Sequence, residues 1–270
     1  MKIIVEAGGT KCKWGLIGSN LQTIETQGFN PNSSNVGALT AMAESVSAKT
    51  TEKVCSIIYF GAGCSNIVNK KAVCDALTAV FKCCDVQVYT DLEGAAIALF
   101  GNKPGVAAIL GTGAAAGYYN GKEIERQAPS LGYLLGDEGG GAYIGKTLIA
   151  KVLRNEFSDD LCKKFYDFAG LSSAELIKSI YSANPVNSYL AGFVPFASEN
   201  IAEPEIAVLI DEAFSLFHEK HIAPLNINNL SLGFVGGVAW QFADILRGQY
   251  AKRGQQITIL KDAFERLCAI

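Results

Sequence analysis

Two stretches of the sequence share one form. The first is IIVEAGGTKCKWGLIG, residues 3–18, and the second is AAILGTGAAAGYYNG, residues 107–121. Each stretch reads as a buried strand, a tight glycine turn and a second strand that carries a further glycine. Their similarity predicts a weak internal duplication, with two α/β halves of related structure. Pro104-Gly105 is the expected link between the halves.

The pattern of apolar residues around these stretches predicts alternating strands and helices. In the first half the expected order is βββαβαβα, with a third strand at 22–29, helices at 36–48, 67–81 and 93–101, and strands at 54–63 and 85–91. The second half again predicts three strands, over 105–127, and then a long helix from about Gly139 to Glu156. Further helices are expected at 159–168, 173–182, 205–220, 239–250 and 261–269, and further strands at 230–237 and 255–260. Residues 184–197 read as a loop.

Composition bounds the class of protein. The 270 residues are 49% hydrophobic and 18% charged, which suits one large or two medium globular domains. A net charge of −3 gives no electrostatic basis for binding nucleic acid. No apolar run reaches the roughly 18 residues of a membrane span, and the first strand is too short for a signal peptide. We therefore expect a cytoplasmic protein without a nucleic-acid or membrane partner.

The eight cysteines are scattered along the chain, without a C-x-x-C pair. Reduced, mostly buried thiols are the expected state of such residues in a cytosolic protein. Cys83 and Cys84 are adjacent, which is a poor geometry for an ordinary disulfide.

The residues Gly140, Gly145, Lys146 and Thr147 match the P-loop formula G-x-x-x-x-G-K-[ST]. A P-loop follows a buried strand directly, whereas Asp137 and Glu138 stand before this match and would repel a triphosphate. The apolar residues of 143–152 instead fit one face of a helix. We interpret GDEGGG, residues 136–141, as the opening of that helix, with Asp137 as its N-cap and Glu138 in its first turn.

The glycine turns EAGGTK (6–11) and LGTGAA (110–115) are better candidates for binding phosphate. Without side chains, a turn lets backbone N–H groups approach an anion closely. Thr10 and Thr112 add hydroxyl donors, and Lys11 adds a positive charge. A plain β-hairpin also uses glycine, but two matching turns in two matching halves favour one polyphosphate held from both sides.

Asp91 stands where a predicted strand ends and a predicted helix begins. Ligands of α/β proteins gather at such strand ends, so Asp91 is a candidate general base for phosphoryl transfer to a hydroxyl. The alternative is a structural one, in which Asp91 caps the helix at 93–101. His218 and His221, in HEKH, do not form the H-E-x-x-H zinc motif and are expected on a solvated helix face.

Five motifs together resemble one family, and they occur in the order VEAGGTK, YTDLEGAA, ILGTGAAAG, LGYLLGDEGGGAYIG and LGFVGGVA. The chain resembles the actin-like sugar kinases and ATPases over essentially its whole length. It is most similar to the N-acetylglucosamine kinase and BadF/BadG/BcrA/BcrD ATPase group. The most specific element runs from Gly132 to Gly145. The resemblance implies two ribonuclease-H-like α/β domains, 1–103 and 104–270, with ATP and magnesium in the cleft between them and a last helix able to pack on the N-terminal domain.

The resemblance also implies roles for individual residues in binding ATP. It assigns the phosphates to Gly8, Gly9, Thr10 and Lys11 and to Gly111, Thr112 and Gly113. Gly236 and Gly237 match the motif that binds adenosine. Glu6 stands where many relatives carry aspartate, and it would hold Mg²⁺ through water, since this ion keeps much of its hydration.

For the sugar, the resemblance makes Asp91 the catalytic base that takes or orients the proton of a 6-hydroxyl. Asn32 is similar in position to an asparagine that binds sugar hydroxyls, although the alignment can slip to Asn30 or Asn35. Gly132 and Asp137 match substrate-binding positions, and the Asp137 carboxylate can accept from two neighbouring hydroxyls. The implied activity is ATP-dependent phosphorylation of an amino sugar, with N-acetylglucosamine first among the candidates and a homodimer possible.

Two departures leave other activities open. Ala114 stands where a serine often follows the second phosphate turn, and GGVA with Trp240 is looser than the usual adenosine turn. One alternative is a BadF-type ATPase that activates a partner reductase through an iron–sulfur cluster. Such a cluster needs about four thiolates, and the second half carries only Cys162 and Cys268. The other alternative is a sensor that binds sugar or nucleotide without turnover.

Overall fold

The computed structural model describes residues 1–50, 52–82, 85–226 and 230–270. The chain divides into two compact units. The first unit contains Met1–Lys103, Tyr119–Ile124 and Asp262–Ile270, and the second contains Pro104–Tyr118 and Glu125–Lys261. Two five-stranded sheets carry the fold, and the predicted α/β class is confirmed.

The first sheet has the strand order β3-β2-β1-β4-β5. Its strands are β1 (Lys2–Ala7), β2 (Lys11–Ile17), β3 (Leu21–Gln27), β4 (Ser56–Gly61) and β5 (Asp85–Thr90). The first three strands form an antiparallel meander, and β4 and β5 extend the sheet in parallel from β1. Ile3, Ile4 and Val5 of β1 are fully buried, as expected for a central strand that is covered on both faces.

Helices cover both faces of this sheet. They are α1 (Val36–Ser47), α2 (Ile67–Phe81), α3 (Asp91–Phe100) and, from the end of the chain, α13 (Phe264–Cys268). The helices α1 and α2 pack on the face that Val5 and Trp14 present. On the opposite face, α3 lies against Phe60 through Gly94, and α13 lies against Gly15. The predicted order βββαβαβα is therefore confirmed.

The second sheet has the strand order β10-β9-β6-β7-β8. Its strands are β6 (Gly105–Leu110), β7 (Ala114–Tyr119), β8 (Ile124–Gln127), β9 (Leu232–Val235) and β10 (Ile257–Leu260). The strands β6, β9 and β10 run parallel to one another.

Nine α-helices described between β8 and β10 belong to the second unit. They are α4 (Gly132–Leu135), α5 (Gly141–Leu153), α6 (Asp159–Ala169), α7 (Ser173–Ser182), α8 (Val186–Ala191), α9 (Val194–Glu199), α10 (Pro204–Phe217), α11 (Gly237–Gln241) and α12 (Ala243–Lys252). A π-helical turn, His218–Ile222, and a 3-10 turn, Ala223–Leu225, follow α10. Clustered aromatic rings, among them Phe165 against Phe196 at 5.2 Å, fill the core.

Two predictions for this unit are wrong. The segment 184–197 is not a loop, because it contains α8 and the beginning of α9. The single helix expected at 239–250 is two helices, α11 and α12, which meet at Phe242.

The described cysteines are free thiols, with Cys12, Cys64 and Cys162 buried, while Cys83 and Cys84 lie outside the described residues. No helix among the described residues is both long and apolar enough to cross a membrane.

Candidate functional site

The first glycine turn joins β1 to β2. It is closed by the amide of Gly8, which donates to the carbonyl of Lys11 at 2.9 Å. The chain leaving β3 fixes the turn from its other side, since Phe29 donates to the carbonyl of Gly8 and Gly28 to that of Thr10. The amide of Gly9 donates to none of the described residues. The turn therefore has the backbone geometry of an anion site, with the carbonyls of Gly8, Thr10 and Lys11 engaged and the Gly9 amide left for a ligand.

Gly28 is part of this arrangement, and sequence reasoning missed it. A Cβ at Gly28 would lie 2.4 Å from the carbonyl carbon of Gly9, so no side chain fits between the end of β3 and the turn. In the sequence Gly28 reads only as a residue that ends a strand. The close approach of the Gly28 backbone to that of Gly9 cannot be read from the sequence around Gly28.

Glu6 is on β1, just before the turn. Its Oε1 accepts from the amide of Ala263 at 3.1 Å, and Asp262 beside it pairs with Lys13 at 2.7 Å. Burial raises the pKa of the Glu6 carboxyl, and the hydrogen bond from Ala263 opposes this rise. A desolvated carboxylate with one oxygen bonded and a second carboxylate nearby is an environment that a cation would stabilise.

Asp91 is the first residue of α3 and not its cap. The cap is Thr90, whose hydroxyl accepts from the amide of Glu93 at 3.1 Å while the Glu93 carboxylate accepts from the amide of Thr90 at 2.7 Å. Asp91 Oδ1 accepts from the amide of Leu92 at 2.9 Å. Since Thr90 and Glu93 complete a capping box, the interpretation of Asp91 as the cap is wrong.

The charge of Asp91 acts on two buried groups, Cys64 and Tyr59. Burial raises the pKa of the Cys64 thiol to about 11, and the charge of Asp91 contributes to the rise. Burial likewise raises the pKa of Tyr59, with a smaller contribution from Asp91. Both groups therefore stay protonated at neutral pH beside Asp91.

The asparagine-rich loop after β3 contains the alternatives for the sugar-binding asparagine. Asn35 is the N-cap of α1 and accepts from the amide of Gly37 at 2.7 Å. The Oδ1 of Asn30 accepts from the amide of Asn32 at 2.9 Å. Asn32 has an exposed side chain, whose Oδ1 accepts from Asn69 Nδ2 at 2.7 Å. Among the described hydrogen bonds, the side chains of Asn30 and Asn35 bond to backbone amides of this loop, whereas the side chain of Asn32 bonds to Asn69 instead.

The second glycine turn joins β6 to β7 and is held by the start of α5. Gly111 donates to the carbonyl of Gly113 at 3.0 Å, which closes the turn. The amides of Gly141 and Ala142 then donate to the carbonyls of Gly111 and Thr112, at 2.7 and 2.9 Å. The first amides of α5 therefore fix the turn, and they are not directed at a ligand.

Asp137 lies against this turn in a left-handed backbone conformation, with φ of 57°. A Cβ at Gly113 would be 2.8 Å from Asp137 Oδ2, so the glycine is required for this contact. Burial raises the pKa of the Asp137 carboxyl, while a hydrogen bond from the Ala114 amide and the charge of His221 lower it. The N-cap of α5 is Gly140, without a side-chain bond, so the prediction that Asp137 caps this helix is wrong.

Glu138 and His221 form a pair that the sequence did not predict. Glu138 precedes α5 and lies outside its first turn, and its Oε2 is 3.0 Å from His221 Nε2. His221 is buried and stacks on Phe217 at 4.9 Å. His218 is half-buried and bonds the Tyr250 hydroxyl at 3.1 Å. The expectation of a solvated histidine face is therefore wrong.

Gly236 is another predicted site residue, and it lies between β9 and α11, next to the second turn. Its φ is 131°, and a Cβ there would be 2.3 Å from the carbonyl oxygen of Leu110. Gly237 begins α11 and has open space around its Cβ position. Trp240, one turn later, is half exposed. The backbone of Gly236 thus packs directly on the strand end that leads into Gly111.

Gly132 begins α4 and also has a positive φ, of 71°. Its carbonyl accepts from the amide of Gly136 at 2.8 Å. This short helix carries two strongly exposed leucines, Leu134 and Leu135, and its N-cap, Leu131, is exposed as well.

The residues that match the P-loop formula all have other contacts. Gly145 is inside α5, where a Cβ would be 1.9 Å from the carbonyl oxygen of Leu190 in α8. Lys146 Nζ donates to the carbonyl of Tyr133 at 3.2 Å, and the Thr147 hydroxyl donates to that of Tyr143 at 2.9 Å. Gly145 therefore allows α5 to pack closely on α8, and Lys146 bonds to the backbone of α4. These structural roles are expected if the match to the P-loop formula is due to chance.

Comparisons with known proteins show what the chain is similar to. No family model matches the chain, and no curated protein matches it. Among solved structures, a candidate N-acetylglucosamine kinase from Porphyromonas gingivalis is 31% identical, with a TM-score of 0.94 over 100% of this chain and 98% of that one. The chain belongs to the family of that protein.

Two further structures are similar in fold. A candidate N-acetylglucosamine kinase from Chromobacterium violaceum is 20% identical, with a TM-score of 0.77 over 99% of this chain and 97% of its own. A ROK family glucokinase from Streptomyces griseus, in complex with glucose and AMPPNP, is 14% identical, with a TM-score of 0.55 over 99% of this chain and 96% of its own. These two similarities concern the fold alone, an α/β fold with two five-stranded sheets among the described residues.

Within each unit, the structure brings several predicted site residues of this family member together. In the first unit, Glu6 leads directly into the turn of Gly8 and Gly9. In the second unit, Gly113 contacts Asp137, and Gly236 packs on the strand end before Gly111. Lys11 is exposed, with Glu25 at 3.8 Å.

Proposed function

We propose that the chain is an ATP-dependent kinase that phosphorylates the 6-hydroxyl of an amino sugar, with N-acetylglucosamine as the first candidate. One observation carries this proposal. The chain is 31% identical, over its whole length, to a protein described as a candidate N-acetylglucosamine kinase. The proposal includes membership of the BadF/BadG/BcrA/BcrD group and a domain boundary between residues 103 and 104.

The two glycine turns are the proposed phosphate-binding elements for ATP. Backbone amides in such turns offer donors of fixed direction, which need no side-chain ordering when a phosphate binds. The bonds from Gly28 and Phe29 to the first turn, and from Gly141 and Ala142 to the second, support this role because they hold both turns rigid. In this proposal Gly236 and Gly237 contact the adenosine.

Mg²⁺ fits the environment of Glu6. The Glu6 carboxylate has a pKa that burial raises, so a nearby divalent cation would stabilise its charged form. The ion would supply charge neutralisation at the phosphates, with Glu6 holding it through water. The hydrogen bond from the Ala263 amide would keep this carboxylate in position.

Asp91 is the proposed base for the 6-hydroxyl. The Leu92 amide engages its Oδ1, which restricts the orientation of the carboxylate. Because Thr90 and Glu93 cap the helix by themselves, the structure of α3 does not require a charge at Asp91. The carboxylate would accept the hydroxyl proton as the oxygen attacks phosphorus, with the proton ending on Asp91.

The proposed sugar contacts are Asn32, Gly132 and Asp137. A desolvated carboxylate such as Asp137 gains when two sugar hydroxyls donate to it, because these bonds replace the water it has lost. The described cysteines do not favour the reductase-activating alternative. Cys162 and Cys268 belong to different units, and no group of three potential metal ligands occurs among the described residues.

A coupled assay of ADP release tests the proposal. Purified chain with ATP and Mg²⁺ is offered N-acetylglucosamine, glucosamine or glucose, and a reaction without sugar is the control. We expect ADP release that depends on sugar and a 6-phosphate product. ADP release independent of sugar would support the ATPase alternative instead, and sugar binding without any turnover would support the sensor.

A further inference from the structure

Two hydrogen bonds connect the loop after β4 to Asn32 through a single side chain, that of Asn69 in α2. Asn69 Nδ2 donates to the carbonyl of Gly63 and to Oδ1 of Asn32, each at 2.7 Å. The backbone amide of Asn69 donates to Asn66 Oδ1 at 2.8 Å, which is the cap of α2. The first turn of α2 therefore fixes the position of the Asn69 amide.

The chemistry of the partners fixes which way both amides point. A backbone carbonyl only accepts, so the atom of Asn69 that faces Gly63 must be its NH₂ group. An NH₂ group has two hydrogens, and the second is directed at Asn32, where only an acceptor fits. Asn32 therefore turns its Oδ1 inward to Asn69 and its NH₂ group outward. No acceptor for that NH₂ group occurs among the described residues.

We propose that Asn69 is a positioning residue that makes Asn32 a hydrogen-bond donor to the substrate. The inference rests on the proposed function, in which Asn32 contacts the sugar. It adds that the sugar atom facing Asn32 is an acceptor oxygen, either of a hydroxyl or of an acetamido carbonyl. The exposed side chain of Asn32 leaves its donor accessible to such an atom.

Asn69→Asp is the variant that reverses the arrangement with the least change in shape. A carboxylate at this position would repel the Gly63 carbonyl and the Asn32 Oδ1, so the Asn32 amide is expected to flip and turn its oxygen outward. The variant should fold, because Asn69 is the third residue of α2, where an acid is favourable to the helix dipole. No acid occupies that first turn in the natural chain.

A matched control adds the same charge without touching the amide pair. Asn66→Asp lies three residues earlier, and aspartate is as good an N-cap as asparagine. We expect Asn69→Asp to raise the KM for the sugar about tenfold, with kcat and the KM for ATP little changed. Asn66→Asp should leave all three parameters unchanged. In an Asn32→Ala background, Asn69→Asp should have no further effect on the sugar KM.

Asn32→Asp identifies the acceptor. It keeps the bond from Asn69 but presents a carboxylate to the sugar. A hydroxyl can reverse and donate to it, whereas an acetamido carbonyl cannot. Loss of N-acetylglucosamine turnover with glucose turnover retained would assign the carbonyl, and retention of both would assign a hydroxyl.

The outcomes distinguish a failure of the positioning role of Asn69 from a failure of the proposed kinase function. If the natural chain phosphorylates a sugar and Asn69→Asp has an unchanged sugar KM, the positioning role is wrong while the kinase proposal stands. An additive effect of Asn69→Asp in the Asn32→Ala background would also overturn it. Absence of turnover in the natural chain with every sugar would overturn the proposed function, and this inference with it.

Discussion

The imidazole Nε2 of His221 lies 3.0 Å from Oε2 of Glu138, in a buried position where the other ring nitrogen of His221 has no hydrogen-bond partner among the described residues. Glu138 follows Asp137 directly. The pair therefore ties the turn that carries Asp137 to the π-helical turn His218–Ile222. Single π-helical turns occur frequently at functional sites.

Breaking this pair should destabilise the fold and weaken sugar binding together. His221→Phe keeps the ring that stacks on Phe217 but removes the donor to Glu138, which leaves a carboxylate without its partner. We expect a loss of about 1–3 kcal/mol in the free energy of unfolding, measured by urea denaturation. The KM for the sugar should rise, while the KM for ATP stays the same. Adding Glu138→Gln, which removes the unpaired charge, should recover part of the stability; no recovery would contradict a direct pair.

Asp137→Asn should stabilise the folded chain and impair its activity. Burial raises the folded-state pKa of this carboxyl, so its ionisation favours the unfolded state. Asparagine removes that penalty, can still accept from the Ala114 amide, and tolerates the left-handed conformation at φ of 57°. Loss of the charged acceptor should raise the sugar KM by about 10- to 100-fold.

The pH dependence of the Tm difference between Asp137→Asn and the natural chain tests whether burial of the Asp137 charge is its cause. Below the pKa of about 3.9 that the unfolded chain has, the carboxyl is protonated in both states and the variant has no advantage. Between that value and the higher folded pKa, only the unfolded state releases the proton, so the advantage in Tm should grow as pH rises and then level off. A Tm difference that is constant from pH 3.5 to 8 would show that burial of the charge is not its cause.

Asp91→Asn should abolish chemistry without disturbing the helix. The variant keeps an Oδ1 to accept from Leu92, and the Thr90–Glu93 capping box is unchanged. We expect kcat to fall by about 10²–10⁴, the usual contribution of a general base, with ATP affinity nearly intact. Turnover is measured by the coupled assay and nucleotide affinity by equilibrium titration. Near-normal turnover would remove Asp91 from the mechanism.

Gly236→Ala and Gly248→Ala are a matched pair that should have opposite effects. At Gly236 the φ of 131° and the approach to the Leu110 carbonyl oxygen leave no room for a methyl group. Strain of this kind costs about 1–3 kcal/mol, and the displaced strand end should also weaken ATP binding. Gly248 is inside α12 with open space around it, so alanine there should stabilise by about 0.5–1 kcal/mol. Thermal denaturation of both variants checks the pair, and equal Tm values would contradict it.

The strands could be predicted because their signals are local. The ten strands that the structure describes all occur where the sequence pattern predicts a strand. The glycine turns at Gly8–Gly9 and Gly111–Gly113 were found for the same reason, since a strand, a turn and a strand are contiguous in sequence.

The errors lie where a residue's role depends on a distant partner. His221 reads as one of several polar residues on a helix, and nothing nearby in the sequence indicates that it is buried and pairs with Glu138. Gly28 reads as a strand end, although the backbone of Gly9 is what excludes a side chain there. Residues 184–197 read as a loop in the sequence, but Pro185 and Gly192 instead flank α8 as its two caps. Pro195 lies in the first turn of α9, where a proline is compatible with a helix.

Lys146→Ala tests whether the P-loop formula has any role in binding nucleotide. Lys146 Nζ donates to the Tyr133 carbonyl and lies over the Tyr143 ring, at 5.7 Å from its centroid. Removing these contacts should lower stability by about 1 kcal/mol and leave the KM for ATP unchanged within about twofold. Lys11→Ala, at the first phosphate turn, is the comparison, and it should raise the KM for ATP with little loss of stability because Lys11 is exposed. If Lys146→Ala weakened ATP binding strongly and Lys11→Ala did not, the phosphates would have to bind at the start of α5, where the amides of Gly141 and Ala142 are already donated to the second turn.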